Sequence, residues 1–574
     1  MTEFASELLK KHYCRDNETP QQAFKRACDC FASNPEHSIR LQSYLEKEWF
    51  MFSSPILSNA VLANEKPKGL PISCFVTYVP DSIQGLCDHT VETRWLSVKG
   101  GGVGSSWSDI RSTSEVTPGV NGFLHTIDAD MVAYRQGKTR RGSYASYLNI
   151  DHPEIIEFIK MRVPTGDLNR KNLNLHHGVN ITDEFIDAVD NDSNWCLVDP
   201  HSCEVVETVR ARELWEEILT TRFRTGEPYI NYIDEANDRM HPALKAKGLQ
   251  INSSNLCNEI HLPTDEDRTA VCCLSSVNLA TYDEWKDSNF FIEDLIEMLD
   301  NVLQFFIDNA DSPLKKAKYS AERERSLGLG AMGFHDYLQY KNVPFDSGLA
   351  VSINRGIFKN IKDKALLATH ELAIHRGEAP DAIGYGVRNT HLLAVAPNAN
   401  SSIILGVSPS IEPRLSNCYT HKTRVGSYLV KNKYLEAELA NLKLNTDDMW
   451  KRILNDNGSI QGIDEIPEKI KEVYKTAMEL DQRWIVDMAR GRQEFICQGQ
   501  SVNLFFHNGA DKAYVNECHR RAFRAEGLGV PLKGLYYLRT ESAKKTENIS
   551  VQVKRDALQD GVQGSLSDCI ACQG

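Results

Sequence analysis

The feature that most constrains the fold of this chain is an alternation of short apolar runs with helical segments, from about residue 55 to about residue 415. The strand-like runs are rich in β-branched residues and are broken by Gly, Pro and Ser. They include PILSNAV, PISCFVTYV, YASYLNI, EPYINYI and HLLAVAP. The segments between them carry apolar residues at helical spacing, as in LWEEILTTRFR and IEDLIEMLDNVLQFFI. This order favours an α/β body with largely parallel strands.

Both ends of the chain differ from this body. Residues 1–50 keep the helical spacing of apolar residues, which predicts an N-terminal helical region. After Arg539 the sequence is polar and free of aromatic residues, which predicts a flexible tail over residues 541–574. The body between these segments then spans residues 51–540.

The charge balance argues against some classes of partner. The 574 residues include 65 Lys and Arg and 78 Asp and Glu, so the net charge is −13. A nucleic-acid polymer is therefore not an expected partner, because its binders need a basic footprint. No apolar run approaches the roughly 18–20 residues that span a bilayer, and the N-terminal segment has no apolar signal core. We expect no membrane contact and a cytoplasmic location, in the host cytoplasm if the chain is phage-encoded.

No metal site is predicted in this chain. The segment His370-Glu371-Leu372-Ala373-Ile374-His375 resembles a zinc-protease helix. Its histidines are five residues apart instead of four, so they point to different faces of a helix.

The segment NSSNLCNEIHLP contains an unusual set of side chains around Cys257. Asn255, Cys257 and Glu259 alternate with their neighbours, and in an extended loop this period places all three on one face. Burying Glu259 costs free energy unless the carboxyl is paired or used. The alternative is a surface loop whose polar side chains face water.

Four further cysteines are candidates for chemistry. Cys74 lies in the apolar run PISCFVTYV, and Cys272 lies in AVCCLSSVNLA beside Cys273. A cysteine in such a run is usually a packed apolar residue. Cys569 and Cys572 form a C-x-x-C pair near the end of the chain, where no second pair completes a four-ligand zinc site. A pair on a mobile tether suits thiol–disulfide exchange.

These segments together resemble the large, catalytic subunit of class I ribonucleotide reductase. The matching stretches, which keep the family's order, are PISC at Cys74, NLCNEI at Cys257, CCLSSVNL at Cys272, PNANSS at 397–402, GLYYLRT at 534–540 and the tail CIAC. The resemblance implies an α/β barrel of ten strands, made of two parallel five-stranded halves joined antiparallel. It also implies that the Cys257 loop passes through the centre of the barrel.

The resemblance also implies a role for three cysteines of the body. Cys257 would carry a thiyl radical that abstracts the 3′-hydrogen of a ribonucleotide. Glu259 would act as general base on the 3′-hydroxyl, and Asn255 would hold the ribose hydroxyls. Cys74 and Cys272 would supply two electrons and become a disulfide; Cys273 remains a rival for the place of Cys272.

Radical supply and reduction would come from partners. The family passes the radical through a tyrosine pair, here Tyr536 and Tyr537, from a small subunit that contains the metal, so no cofactor is expected in this chain. Cys569 and Cys572 would reduce the buried disulfide and be reset by thioredoxin or glutaredoxin. An adenosylcobalamin-dependent (class II) reductase would not need the tyrosines. A non-catalytic nucleotide-binding regulatory protein would not need Cys257.

Substrate and effector sites follow from the same resemblance. The class I likeness favours ribonucleoside diphosphates, and the diphosphate would lie on a loop of backbone N–H groups. The expected contacts are Ser73, Pro397, Asn398, Ala399, Asn400 and Ser401. The specificity effector, a dNTP or ATP, would be bound at a homodimer interface by Asp81, Ile83, Arg111 and Arg140. Because Cys74 comes so early, we expect no N-terminal ATP cone and hence no shut-off by dATP through a cone.

Overall fold

The structure is a computed structural model that describes residues 3–63, 65–67, 69–136, 140–422, 427–524 and 527–541. Side chains are described over the same ranges except at residues 3–4, 135–141 and 421–428. Cys569 and Cys572 lie outside the described residues.

Helices and strands alternate through most of the described chain. The helices are α1 (Glu3–His12), α2 (Pro20–Phe31), α3 (Pro35–Glu46), α4 (Ser54–Asn59), α5 (Ile83–Val98), α6 (Gly119–Ala133), α7 (Ile155–Ile159), α8 (Asp183–Asp190), α9 (Ala211–Thr225), α10 (Ile233–Asp238), α11 (Pro242–Ala246), α12 (Tyr282–Trp285), α13 (Phe291–Asn309), α14 (Lys315–Glu324), α15 (Phe334–Tyr340), α16 (Gly348–Arg376), α17 (Ala399–Leu405), α18 (Lys433–Asn441), α19 (Asp447–Asn455), α20 (Glu468–Val473), α21 (Gln482–Gln493) and α22 (Lys512–Phe523). Short 3-10 helices cover Leu168–Arg170, Leu279–Thr281 and Ser312–Leu314.

The strands follow the same order along the chain. They are β1 (Phe50–Phe52), β2 (Cys74–Tyr78), β3 (Gly102–Ser106), β4 (Arg135–Gln136), β5 (Arg140–Arg141), β6 (Ser143–Asn149), β7 (His176–Ile181), β8 (Asn194–Val198), β9 (Val205–Arg210), β10 (Tyr229–Tyr232), β11 (Ala270–Asn278), β12 (Leu327–Met332), β13 (Cys418–Lys422), β14 (Ser427–Lys431), β15 (Leu504–Phe506), β16 (Gly534–Leu535) and β17 (Leu538–Thr540).

The first half of the barrel contains five parallel strands. Their order is β2-β3-β6-β7-β10, and each neighbouring pair is parallel. Helices α5, α6 and α9 lie along the chain between these strands. After each strand the chain must cross back to the end of the sheet where that strand began before it can form a parallel neighbour, and these helices make the crossing. The alternation of strands and helices in the sequence therefore produces this half of the barrel directly.

The second half contains the later strands and closes the ring. β11 pairs with β12, and single parallel bridges then join Leu329 to Leu393 and Val395 to Gln500. The chain from Gln500 continues into β15, which is parallel to β17. The two halves meet antiparallel at both seams, β11 with β2 and β16 with β10. The ten-stranded α/β barrel with two parallel halves is therefore confirmed.

The N-terminal helices α1–α3 pack beside this barrel and confirm the predicted helical region. Phe31 of α2 makes an edge-to-face contact with Phe305 of α13, with ring centroids 5.5 Å apart. Asp294 of α13 accepts hydrogen bonds from Arg40 and Tyr44 of α3. The helices therefore attach through both apolar and charged contacts.

Buried side chains separate into an outer core and the barrel interior. The main apolar cluster lies between the strands and the surrounding helices and includes Cys273, Val277 and Leu299. Smaller clusters inside the ring include Cys74, Cys272 and Cys257. Within the described chain, no helix combines the length and the apolar character that crossing a bilayer requires.

Candidate active site

The loop that carries Cys257 passes through the interior of the barrel. It lies so close to β3 that a Cβ atom added to Gly104 would be 1.9 Å from the carbonyl oxygen of Ser254 and 2.7 Å from the Cα of Asn255. The hydroxyl of Tyr147 on β6 donates to the carbonyl oxygen of Asn255 at 2.7 Å. Gly104 on β3 therefore leaves room for the loop, and Tyr147 on β6 holds the loop through this hydrogen bond.

Asn255, Cys257 and Glu259 are all buried, so the surface-loop alternative is wrong. The Asn255 Oδ1 atom accepts the backbone N–H groups of Glu259 and Ile260, each at 3.0 Å. Ser501 Oγ donates to the carbonyl oxygen of Cys257 at 2.6 Å and lies 3.2 Å from Glu259 Oε2. One serine thus links the backbone of Cys257 to the carboxyl of Glu259.

The local geometry of this loop differs from the extended form on which the period-two prediction rested. Residues 256–258 form a turn, and Asn258 has a left-handed φ of 59°. The N–H group of Asn258 donates to the carbonyl oxygen of Asn255 at 3.2 Å. Asn255 and Glu259 are brought together by this turn and not by alternation along a strand.

Five polar side-chain atoms between Ser253 and His261 are buried and make no hydrogen bond within the described residues, and Asn255 Nδ2 and Glu259 Oε1 are two of them. A buried polar atom without a partner costs about 1–3 kcal/mol and is rare in folded proteins. An amide donor and a carboxyl acceptor left open side by side suit a ligand that offers hydroxyl groups.

The environment of Glu259 raises the pKa of its carboxyl towards neutral pH. Burial raises the pKa of its carboxyl to about 7, although its hydrogen bonds oppose the shift. A carboxyl of this acidity both takes and returns a proton near neutral pH, which is the property of an efficient general base.

Cys74 and Cys272 lie directly opposite each other on β2 and β11. They are Cα partners in the antiparallel ladder that joins the two halves of the barrel. Opposed residues in such a ladder have Cα atoms about 4.5–5.5 Å apart, within the range that a disulfide spans. Neither cysteine forms a disulfide in this structure.

Cys273 occupies the other face of β11. Successive side chains of a strand point to opposite faces, and Cys273 lies in the outer core, whereas Cys272 lies inside the barrel. Gln498 Nε2 lies 3.5 Å from Cys272 Sγ, and burial raises the pKa of this thiol well above its ordinary value. Cys272, not its neighbour, therefore faces Cys74.

A tyrosine cluster leads from Cys257 towards the surface. The ring centroids of Tyr536 and Tyr537 are 4.2 Å apart, and a third ring, Tyr229 of β10, lies 4.8 Å from Tyr536 and 5.1 Å from Tyr537. The Tyr536 hydroxyl is hydrogen-bonded to the Cys257 thiol. The hydroxyl of Tyr537 lies 3.2 Å from Nδ1 of His176.

The segment 397–402 begins helix α17 and is held by its own asparagines. Asn398 has a left-handed φ of 56°; its side chain accepts from Ser276 Oγ and donates to the carbonyl oxygens of Ala331 and Ala396. Asn400 donates to the hydroxyl of Tyr13 at 2.9 Å. These amides therefore shape the loop at the first turn of α17.

Ser401 and Ser73, two further predicted substrate contacts, are both buried. Ser401 is buried in the first turn of α17, which begins at Ala399, two residues after Pro397. Ser73 is buried, and its Oγ atom lies 3.7 Å from Cys74 Sγ. Ser73 therefore adjoins the cysteine pair.

Three of the predicted effector residues, Asp81, Ile83 and Arg111, lie around the start of α5. Arg111 Nε donates to Asp81 Oδ2 at 2.8 Å, so the structure brings these two side chains together as an ion pair. Ile83 is 76% exposed in the first turn of α5. Arg140 is in the two-residue strand β5, which pairs with β4, and its side chain lies outside the described residues.

Several residues of the site gave no local signal in the sequence. The sequence around Tyr229 predicts only a strand, and Ser501 and Gln498 lie in a polar run, QGQS, without a recognisable motif. The site also includes Glu227 and His176 beside Tyr537. Only closure of the barrel brings these segments to Cys257.

Comparison with known proteins identifies the family that this barrel and its central cysteine loop define. The sequence model of the ribonucleotide reductase barrel domain matches residues 72–382 and 380–538, and that of the ribonucleotide reductase all-alpha domain matches residues 1–65. The chain therefore belongs to the ribonucleotide reductase family.

Within that family the chain is a large subunit. It is 54% identical, over 100% of its length and 99% of the relative's, to a protein of Frog virus 3 (isolate Goorha) provisionally named ribonucleoside-diphosphate reductase large subunit. It is 38% identical to the ribonucleoside-diphosphate reductase large subunit of Invertebrate iridescent virus 3, over 99% and 97% of the two chains. Its fold is similar to the class Id ribonucleotide reductase alpha subunit of Actinobacillus ureae, with a TM-score of 0.82, 33% identity and coverage of 94% and 97%.

Proposed function

We propose that this chain is the catalytic subunit of a ribonucleoside-diphosphate reductase, which converts ribonucleoside diphosphates to 2′-deoxyribonucleoside diphosphates for DNA synthesis. The observation that carries the proposal is the surroundings of Cys257. Its thiol meets Tyr536 on one side, and its backbone shares Ser501 with Glu259 on the other.

In the proposed reaction, a thiyl radical on Cys257 takes the 3′-hydrogen of the ribose and becomes a thiol. Glu259 accepts the proton of the 3′-hydroxyl, which promotes loss of the 2′-hydroxyl as water. Asn255 donates its free amide N–H to a ribose hydroxyl. Cys74 and Cys272 give two electrons and two hydrogens and become a disulfide. Glu259 then returns its proton to the 3′-oxygen, and the Cys257 thiol returns its hydrogen to C3′ and becomes the radical again. In total, one C–OH and two thiols become one C–H, one disulfide and one water.

The proposed radical source is a separate small subunit that contains the metal. That subunit supplies a one-electron oxidant, and no cofactor of this chain enters the reaction. The continuous contacts from Tyr537 through Tyr536 to Cys257 support entry of the radical by this route. An adenosylcobalamin-dependent reductase would form its radical beside the thiol and would have no use for the tyrosines.

The non-catalytic alternative, a nucleotide-binding regulatory protein, is opposed by two features. Asn255 Nδ2 and Glu259 Oε1 are left open inside the barrel, and the acidity of Glu259 is adjusted to neutral pH. A protein that only bound a nucleotide would have no reason to keep a thiol, an open amide and an open carboxyl in one buried loop.

The diphosphate of the substrate is proposed to bind at the start of α17. Backbone N–H groups of Asn400 and Ser401 belong to the first turn of a helix, where such groups favour an anion. Pro397, Asn398 and Ala399 shape the approach to this turn, and Ser73 would contact the ribose or phosphate beside Cys74.

Regulation and assembly are proposed to involve α5. A dNTP or ATP effector would separate the ion pair of Asp81 and Arg111 and contact Ile83 and Arg140. The outward face of α5 carries a row of exposed apolar residues, namely Ile83, Val91, Trp95 and Val98. An apolar row on an outer helix supports a homodimer formed through this face.

The tail is proposed to carry reducing equivalents to the barrel. Cys569 and Cys572 would exchange with the disulfide of Cys74 and Cys272 and be reduced by thioredoxin or glutaredoxin. With this role, the proposed division of the chain is a helical region at 1–50, a catalytic barrel at 51–540 and a redox tail at 541–574.

The test is reduction of CDP by the full chain with its cognate small subunit and dithiothreitol, with and without dATP or dTTP. We expect dCDP to form, Cys257→Ser to abolish its formation, and Cys203→Ser, which alters an exposed cysteine of the β8–β9 hairpin, to leave it intact. Full activity of Tyr537→Phe with adenosylcobalamin alone would instead establish the cobalamin-dependent alternative. Equal turnover by the Cys257→Ser variant would refute the proposed function.

A further inference from the structure

The two sulfurs of the Cys74 and Cys272 pair have different surroundings. A Cβ atom added to Gly328 of β12 would lie 2.8 Å from Cys272 Sγ, so only a glycine fits against this sulfur. On another side, Gln498 Nε2 donates a hydrogen bond to the same sulfur at 3.5 Å. Cys272 is 1% exposed, whereas Cys74 is 9% exposed. Cys272 is therefore the less accessible sulfur of the pair.

The amide of Gln498 is held in one orientation. Its Oε1 atom accepts the backbone N–H group of His261 at 3.3 Å, and its Nε2 atom donates to the carbonyl oxygen of Leu327 at 2.9 Å. The side chain is fully buried. The second N–H bond of the amide is then left for Cys272 Sγ. Because an amide N–H group can only donate, this contact favours the sulfur as a thiolate.

The polar neighbour of Cys74 is of another kind. Ser73 Oγ lies 3.7 Å from Cys74 Sγ, and either atom can be the donor. Ser73 is also the proposed contact of the ribose or phosphate, so Cys74 lies beside the space that a departing product would vacate. A thiol that enters this space would reach Cys74 before Cys272.

A thiolate at Cys272 needs a donor of this type. Burial raises the pKa of the Cys272 thiol well above its ordinary value, and the hydrogen bond from Gln498 acts in the opposite direction. In thiol–disulfide exchange, one sulfur is attacked and the other leaves as a thiolate, and the rate depends on access to the first and on the stability of the second. Access favours attack on Cys74, and the Gln498 amide favours departure of Cys272.

We propose that reduction of the buried disulfide has a fixed direction, in which a thiolate of the tail pair attacks Cys74 and Cys272 leaves as a thiolate that accepts the N–H group of Gln498. A bond forms between the tail sulfur and Cys74 Sγ while the bond between Cys74 and Cys272 breaks. The bonding electron pair stays on Cys272 Sγ, which then takes a proton. The inference rests on the proposed function, because it assumes that turnover forms this disulfide and that the tail reduces it.

The second tail thiol completes the exchange. It attacks the mixed disulfide, forms the tail disulfide and releases Cys74 as a thiolate, which also takes a proton. In total, two tail thiols become one disulfide, the buried disulfide becomes two thiols, and the two protons lost by the tail are regained at Cys74 and Cys272.

The test traps the mixed disulfide in the full chain with its small subunit. Cys572→Ser leaves Cys569 able to attack but removes the thiol that completes the exchange, and Cys569→Ser is the reciprocal variant. After a single turnover of CDP without external dithiol, an acid quench, alkylation and peptide mapping should find the remaining tail cysteine joined to Cys74 and the alkyl group on Cys272. A tail cysteine joined to Cys272, or to both cysteines equally, would overturn the proposal.

A second measurement tests the role of Gln498 in a chain with Cys569→Ser and Cys572→Ser. Gln498→Met keeps the approximate volume and removes the donor. Reduction of the disulfide by dithiothreitol should slow at least about tenfold more than the first turnover of CDP does, because the thiolate loses a hydrogen bond to a charged group. Equal slowing of the two steps would mean that Gln498 has only a structural role.

Gln500→Met is the matched control for this comparison. Gln500 is a buried amide that donates to the carbonyl oxygen of Ala489 and to Gln493 Oε1. Neither of these contacts involves Cys272, so the Gln500→Met variant should slow both steps by the same factor.

The same trap distinguishes failure of the inference from failure of the proposed function. If the single turnover forms neither dCDP nor an oxidised pair of Cys74 and Cys272, the proposed function is wrong and the direction of exchange falls with it. If dCDP forms and the tail cysteine is found on Cys272, the proposed function stands and only the direction is wrong.

Discussion

Cys74 and Cys272 face each other across the antiparallel seam that joins the two halves of the barrel. They are separated by 198 residues of sequence, and their pairing follows from the register of β2 and β11. Because the register also directs Cys273 to the outer core, it decides which of two adjacent cysteines can react with Cys74.

The first prediction concerns this choice. In a single turnover of a chain with Cys569→Ser and Cys572→Ser, which cannot exchange the disulfide to the tail, peptide mapping without external dithiol should find a disulfide between Cys74 and Cys272. Cys272→Ser should abolish steady-state turnover with dithiol, whereas Cys273→Ala should keep it, with a loss of stability of about 1 kcal/mol for the buried sulfur. A disulfide that contains Cys273 would contradict the predicted geometry.

The second prediction concerns the pH dependence of turnover. Burial raises the pKa of Glu259 to about 7, and a general base must be ionised, so kcat should fall about tenfold per pH unit below pH 7. Glu259→Gln should lower kcat by at least about 100-fold. Glu324→Gln is the matched control, because burial also raises the pKa of Glu324 to about 7, and its carboxyl accepts from Ser320 instead of contacting the loop of Cys257. In the Glu324→Gln variant, kcat should fall below pH 7 in the same way as in the unaltered chain.

The third prediction concerns stability at the same residue. The pKa of Glu259 is higher in the folded chain, about 7, than the ordinary value of 4.5. The folded state therefore loses stability as pH rises from about 4.5 to about 7, and above pH 7 the loss reaches about 3 kcal/mol. Urea unfolding should find Glu259→Gln more stable than the unaltered chain at pH 8 and no more stable at pH 4. Equal differences at both pH values would contradict this.

The fourth prediction concerns the room that a glycine leaves for the central loop. A Cβ atom at position 104 would collide with backbone atoms of Ser254 and Asn255, which cannot move aside as a side chain can. Gly104→Ala should therefore cost at least about 1–3 kcal/mol and abolish turnover. Gly356→Ala in α16 meets no atom within 4 Å and should stabilise the chain by about 0.5–1 kcal/mol. Thermal unfolding of both variants checks the contrast.

The fifth prediction concerns the proposed dimer face on α5. Val91 is half exposed there, and a charge at its position would be buried in a dimer. Sedimentation with dTTP should show that Val91→Asp raises the dimer dissociation constant at least about tenfold, which corresponds to about 1.4 kcal/mol. Val205→Asp alters an equally exposed valine of the β8–β9 hairpin and should leave dimerisation intact. Equal effects of the two variants would exclude α5 as the interface.

Much of the fold could be predicted from the sequence, because parallel strands and their crossover helices produce a visible alternation of patterns. The ring order followed from the family resemblance. The second half was harder to recognise locally, since two of its contacts are the single bridges Leu329–Leu393 and Val395–Gln500, without a long ladder.

The site was predictable only where residues share a short motif. Asn255, Cys257 and Glu259 belong to one segment, yet their convergence depends on the turn at Asn258, which period-two reasoning does not contain. Tyr229 meets Tyr536 from 307 positions earlier in the chain. No spacing rule reaches that far, so such contacts follow from closure of the barrel alone.

The position of Cys74 and Cys272 at a seam has a consequence for the enzyme between turnovers. A disulfide there would join the two halves of the barrel covalently and close a chain segment of 198 residues. Because the closed loop lowers the entropy of the unfolded chain, the free energy of unfolding would rise by about 5 kcal/mol. The oxidised enzyme, which holds the disulfide, would then be more stable against unfolding than the reduced enzyme. Each reduction of the disulfide would return the protein to the less stable form that is active.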